Sequence, residues 1–200
     1  MRVGTCVGAK QIAESSAKGG FRPRAAMLTL TYREEDAWRP RHVAEVLKHI
    51  RHYLERKGHE FRFCWVAELT QAGRVHYHVV MWLPRGITLP KPDKQGWWKH
   101  GSTRIEWARK PVGYMAKYAS KGDAETKFPR GLRICGRGGL DLAQRRNVAW
   151  ACLPRYVRTH FIEEGSWVTR AIGGGWLNRE TGEVLPSYAW KPPAEPAAAA

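Results

Sequence analysis

The chain has 200 residues with 43% hydrophobic side chains, enough for one sizeable core, so a single domain with appendages is expected rather than two full domains. Thirty-four Lys and Arg against 18 Asp and Glu give a formal charge of +16 and a pI near 10.1. That imbalance implies an anionic partner, most often nucleic acid, although solubility or a membrane-surface patch would also account for it. No apolar h-region opens the chain, and no run approaches the ~18 apolar residues of a membrane span. The expectation is therefore a cytoplasmic protein with no membrane partner. Cys6, Cys64, Cys135 and Cys152 form no C-x-x-C pair and no small disulfide framework, which suits reduced thiols.

Residues 1–24 are small, polar and basic, a composition that need not pack, and are expected to be a flexible basic arm. Ala26 to Tyr32 is short and rich in apolar and β-favouring residues, closing at Arg33-Glu34-Glu35-Asp36: a buried strand and a turn. From Arg39-Pro40 to Lys57, Val43, Val46, Leu47, Ile50, Tyr53 and Leu54 recur at three- and four-residue steps, with Gly58 just past the end, predicting an amphipathic helix. Phe61 to Leu69 and Val75 to Leu83 then read as a hairpin around Thr70-Gln71-Ala72-Gly73-Arg74.

Residues 84–101 read as a loop, Thr103 to Trp107 alternates like a strand, and Lys110-Pro111 opens a helix ending at Gly122. Lys127 to Gly139 is basic and glycine-rich, Leu140 to Leu153 suits another helix, and Trp176 to Leu185 a hairpin around Glu180-Thr181-Gly182. The expected layout is a core over 25–125, a basic C-terminal extension over 126–190 packing on it, and a disordered Pro/Ala tail over 191–200.

Side chains alternate along a strand, so His76 and His78 share one face while Tyr77, Val79 and Met81 share the other. A three-residue loop Gln71-Ala72-Gly73, with Gly73 left-handed in a G1 bulge, sets Glu68 opposite His76. A carboxylate and two imidazoles would then surround one point, an N/O set suited to Mn²⁺, Zn²⁺ or a Mg²⁺ that keeps its waters. A two-residue loop would instead slip the register by one and turn Glu68 to the other face.

On the helix after Pro111, Tyr114, Lys117, Tyr118 and Lys121 stand at i, i+3, i+4 and i+7 and fall on one stripe. A lone tyrosine at helical spacing is more often a core residue than a nucleophile. A lysine beside a phenol favours the phenolate, however, and can hold a phosphate or assist a leaving oxygen. Arg130, Arg133 and Arg137 among the glycines of 129–139 are candidates to meet a phosphate backbone, and Trp97 and Trp98 to stack on bases. A solvated basic loop with structural tryptophans is the plain alternative.

His76-Tyr77-His78 resembles the histidine-hydrophobe-histidine motif of the HUH endonucleases. Tyr114-Met115-Ala116-Lys117-Tyr118-Ala119-Ser120-Lys121 resembles their tyrosine motif in the two-tyrosine form, and Leu28-Thr29-Leu30-Thr31-Tyr32 is similar to their first strand motif. The motifs follow the order of that family, and the resemblance spans roughly residues 25–125. It implies an α+β fold, a central antiparallel sheet of about five strands, ferredoxin/RRM-like and flanked by helices.

The resemblance further implies a rolling-circle replication initiator of the bacteriophage type that nicks single-stranded DNA at a replication origin in a bacterial host. By it, His76 and His78 are ligands of Mg²⁺ or Mn²⁺, with Glu68 the third by register. Tyr114 is the first nucleophile, Tyr118 acts in the next strand transfer, and Lys117 and Lys121 contact phosphate or act as acid/base groups. The sequence holds no Gly-x-x-x-x-Gly-Lys-Ser/Thr loop, so a host helicase would unwind the duplex and a host polymerase extend the free 3′ end. A single-tyrosine transposase or relaxase and a non-catalytic nucleic-acid-binding protein are the competing readings.

Overall fold

The computed structural model describes residues 2–18, 23–34, 37–120 and 128–187, in two compact units, residues 1–144 and 145–200. The first unit is α+β. Strands β1 (Arg24–Tyr32), β2 (Arg62–Leu69), β3 (Val75–Leu83), β4 (Gly101–Trp107) and β5 (Cys135–Gly138) form an antiparallel sheet in the order β4-β1-β3-β2-β5. Helices α1 (Arg2–Lys18), α2 (His42–Glu55) and α3 (Pro111–Ser120) accompany it.

Strand alternation gives the sheet two apolar faces. One carries Leu28, Leu30, Tyr32, Phe63, Trp65, Tyr77, Val79 and Met81, against which α2 lays Val43, Val46, Leu47, Ile50 and Leu54. The other carries Met27, Cys64, Val66, Val80 and Trp82, packed with Ala9 and Ile12 of α1 and Met115 of α3. The stripe read from residues 40–57 is thus the helix that closes the first face, and its end is marked by Gly58 at φ +72°.

Two expectations are corrected here. The residues expected as a flexible arm form α1 over most of their length, and its inward stripe of Gly4, Thr5, Gly8, Ala9 and Ile12 is buried. Small side chains let the helix axis approach the sheet: a Cβ at Gly8 would come within 2.9 Å of Arg137 Cδ. The core also runs past residue 125, because β5 pairs with β2. Its glycines admit aromatic rings, since a Cβ at Gly136 would collide with the Trp65 indole and one at Gly138 with the Phe63 ring.

In the second unit, helices α4 (Leu142–Ala151, which begins in the first unit) and α5 (Arg155–Phe161) precede strands β6 (Val168–Arg170), β7 (Trp176–Asn178) and β8 (Val184–Leu185). The three strands form an antiparallel sheet, and the hairpin around Glu180-Thr181-Gly182 is β7–β8. Trp150, Leu153, Val157, Phe161, Val168 and Trp176 make its core. The tail over 191–200 lies outside the described residues. All four cysteines are free thiols, and among the described residues no helix is long and apolar enough to cross a membrane.

Candidate functional site

The β2–β3 hairpin has the register that the G1-bulge loop requires. Leu69 pairs with Val75 and Glu68 with His76, while Gly73 has φ +76° and donates its N–H to the Thr70 carbonyl at 2.9 Å. Arg74 N–H donates to Thr70 Oγ1 at 3.1 Å and closes the loop. Glu68 is therefore on the histidine face. β1 adds two hydroxyls, with Thr31 opposite His76 and Thr29 opposite His78. Two polar rows, Thr31–His76–Glu68 and Thr29–His78, thus cross one end of a face whose other end is apolar.

The carboxylate engages the diagonal histidine rather than the directly opposed one. Glu68 Oε2 lies 2.8 Å from His78 Nε2, and His78 Nδ1 lies 3.4 Å from Thr29 Oγ1. His78 is 6% exposed, so both ring nitrogens meet partners in a largely dry setting. The His76 ring stands 6.4 Å from that of His78. Burial lowers the His76 pKa, with Arg74 adding to the effect and Glu68 opposing it, which favours the neutral imidazole that can ligate a cation.

Glu68, His76 and His78 share a face as expected, but not one point. Among the described residues no three of His, Cys, Asp and Glu are grouped to hold a metal ion, because Glu68 and His78 take up each other's donor atoms. The donor chemistry nonetheless fits a divalent cation. Two cis ligands at about 2.1 Å in an octahedral shell stand roughly 3 Å apart, close to the separation of Glu68 Oε2 and His78 Nε2. His76 would join them by rotating its ring.

Helix α3 brings the tyrosines to this place. The Tyr118 ring stacks on His78 with centroids 3.8 Å apart and planes inclined by 15°, and Tyr114 lies 6.3 Å from Tyr118. Lys117 Nζ is 5.8 Å from the Tyr118 ring centroid and its side chain is exposed. Met115, fully buried, anchors the helix against the sheet. Lys121, on the same expected stripe, lies outside the described residues.

Behind the site, the other face of the sheet is stiffened by a polar–aromatic cluster. Trp38 Nε1–H donates to Tyr77 Oη at 2.6 Å, Tyr32 Oη meets His42 Nδ1 at 3.1 Å, and the His42 and His100 rings stack at 3.6 Å. Tyr77 of the His-Tyr-His motif is therefore a support, and burial raises its pKa.

The residues expected to contact DNA do not form one surface. Trp98 is 1% exposed, with its indole N–H on the Thr31 carbonyl at 3.2 Å, so it is a core residue unavailable for base stacking. Trp97 is half-buried between His49 and Tyr53. Arg130 is exposed in a turn. Arg133 lies over Trp65, on the α2 face of β2, whereas Arg137 pairs with Cys64 on the α1 face. Thr29 is a site residue that sequence reasoning missed; its signal was a polar residue alternating with leucines in Leu28-Thr29-Leu30-Thr31.

An antiparallel sheet whose histidine hairpin faces a tyrosine helix defines an α+β protein with a polar site on one sheet face. Residues 25–123, about half the chain, match the family model of the replication-associated protein ORF2. That stretch holds β1 to β4, α2, α3 and every residue of the histidine–tyrosine face, and the match supports a replication initiator protein. No curated protein and no solved structure matches the chain.

Proposed function

We propose that the chain is a DNA-nicking and strand-joining enzyme of the HUH two-tyrosine type that starts rolling-circle replication at an origin on single-stranded DNA. The contact of Tyr118 with His78, itself bonded to Glu68, carries the reading: a phenol held against a histidine–carboxylate pair is a nucleophile beside a site for a cation. The histidine and tyrosine motifs lie some forty residues apart and meet only in the fold.

Glu68, His78 and, after rotation, His76 would hold Mg²⁺ or Mn²⁺, which when bound withdraws charge from the scissile phosphate. A tyrosine oxygen then attacks phosphorus. The bond from tyrosine oxygen to phosphorus forms as the bond to the 3′ oxygen breaks, leaving a 5′-phosphotyrosine and a 3′-hydroxyl. The phenol gives up its proton on attack, and the leaving 3′ oxygen takes one up. Lys117 is placed to stabilise the phenolate or the phosphate, and Lys121, one turn on in sequence, is assigned the same role for the second tyrosine. The phosphodiester energy stays in the covalent link, so the reverse attack by a 3′-hydroxyl rejoins the strand without ATP. Tyr118 stands at the histidines and Tyr114 beside it, an arrangement that suits alternate use in successive cleavages.

The test is incubation with single-stranded origin oligonucleotides and Mn²⁺ or Mg²⁺, denaturing electrophoresis, and peptide mapping of the adduct. A metal-dependent covalent adduct on Tyr114 or Tyr118 is expected, reduced in each Tyr→Phe variant and abolished in the double variant. An adduct surviving in Y114F/Y118F, or none on any origin sequence, refutes the proposal.

A further inference from the structure

The second unit lies outside the family match, and its sheet presents a feature that folding alone does not require. In β6 and β7 the alternation sends Val168, Trp176 and Asn178 inward. Trp167, one residue before Val168, points to the opposite face and is 46% exposed. Its backbone is fixed on both sides: the Trp167 carbonyl accepts from Arg179 N–H at 2.8 Å, and Trp167 N–H donates to Glu180 Oε2 at 3.3 Å.

Two guanidiniums accompany the indole, Arg146 Cζ at 5.1 Å and Arg179 Cζ at 5.8 Å from the ring. Glu180 Oε1 also holds Arg146 Nη1 at 3.1 Å, which offsets one of the two charges and sets its orientation. An isolated surface tryptophan would mean little. A rigidly mounted, half-exposed indole with two arginines is the combination that takes an unpaired base by stacking and its phosphate by charge.

We infer that Trp167, with Arg146 and Arg179, is a single-stranded DNA site separate from the histidine–tyrosine face, gripping a stretch of strand while another part is cut. It shares with the proposed nicking reaction only the nature of the strand. Stacking on one aromatic residue is sequence-tolerant, so the site contributes affinity and grip and does not choose the origin.

The probe is fluorescein-labelled oligothymidylate of about 30 nucleotides, several times the smallest single-strand site sizes, titrated with the full chain and followed by anisotropy. W167A is expected to weaken binding about tenfold, the range for removing one stacking residue, and W167F to restore most of it. R146Q/R179Q is expected to flatten the dependence of log affinity on log salt by roughly 1.4, from ~0.7 per phosphate contact on single strands. Adduct formation on saturating origin DNA should be unchanged in W167F and R179Q. Y114F/Y118F should keep full affinity for oligothymidylate, which separates the two proposals.

Wild-type affinity in W167A, or an unchanged salt slope in R146Q/R179Q, overturns the inference. So does a concentration-dependent dimer in light scattering that W167A abolishes without affecting DNA affinity, which would make the face a protein interface. If W167A fails to fold, W167F against R179Q, the latter an exposed side chain, still decides: both binding as wild type at all salt concentrations overturns it.

Discussion

Glu68 makes one 2.8 Å bond to a histidine that is almost dry, so its removal affects stability and cation binding by different amounts. In Glu68→Ala the His78 Nε2 loses its acceptor in place, at about 1–3 kcal/mol for a buried unsatisfied donor. Taking ~2 kcal/mol, and roughly 2–4 °C per kcal/mol for a protein of this size, Tm falls by about 4–8 °C. Glu68→Gln keeps a carbonyl oxygen that accepts from the same nitrogen. It exchanges a charge-assisted bond for a neutral one, and the loss drops to about 1 kcal/mol. Neither variant keeps the negative charge. Mn²⁺ affinity should then fall in both by at least the ~10–100-fold known for losing a mere supporting contact at a metal site. Thermal unfolding by circular dichroism, together with Mn²⁺ titration by electron paramagnetic resonance on the DNA-free protein, separates the two effects. Glu68→Gln binding Mn²⁺ as tightly as the unmodified chain would show that Glu68 merely packs against His78. An unchanged Tm in Glu68→Ala would show that the bond contributes nothing.

Two further outcomes follow from the first unit. Burial lowers the pKa values of His42, His76 and His100 below the ordinary 6.5, so the unfolded chain binds more protons than the folded one as pH falls. Their contribution is fully present above about pH 6.5 and is lost as pH drops through 6.5 towards the folded values. Metal-free Tm measured from pH 8 to pH 5 should be level at first and then decline, and a rise on acidification would refute the assignment. Gly73 has φ +76° with nothing within 4 Å of the place an added methyl group would take, so Gly73→Ala isolates backbone strain at about 1–2 kcal/mol. Gly73→Asn, which tolerates the left-handed region, should cost less; urea midpoints giving the reverse order would refute the turn assignment.

What the sequence made legible was set by the size of the side chains that carry each period. α2 announces itself because its inward stripe is Val, Leu and Ile, whereas α1 buries Gly, Thr and Ala and has almost no hydropathy contrast. β5 was hidden for the complementary reason: Gly136 and Gly138 lack side chains so that Trp65 and Phe63 can lie across them, and a glycine-rich run reads as a loop. At the site, the hairpin register was readable because Gly73 restricts the turn to few forms. The diagonal choice of Glu68 for His78 over His76 was not, since strand alternation assigns faces and leaves side-chain torsions open. Trp98 illustrates the same limit: its Trp-Trp pair looked like a stacking surface, yet one indole faces the core and bonds the Thr31 carbonyl.

The position of the site follows from how polarity is distributed on one sheet face. Met27, Cys64, Val80 and Trp82 occupy one end and demand cover from apolar or small residues, which α1 supplies with Ala9 and Ile12. Thr29, Thr31, Glu68, His76 and His78 occupy the other end, where an apolar cover would leave a carboxylate and two imidazoles desolvated without compensation. A tyrosine meets both demands, because its ring packs on an imidazole while its hydroxyl keeps a route to water or a ligand. α3 spans that change of character, with Met115 buried at the apolar part and Tyr118 on His78 at the polar part. The same packing that makes the polar end tolerable therefore sets a phenol against a histidine–carboxylate pair, and replacing Tyr118 by Phe tests chemistry while leaving that packing in place.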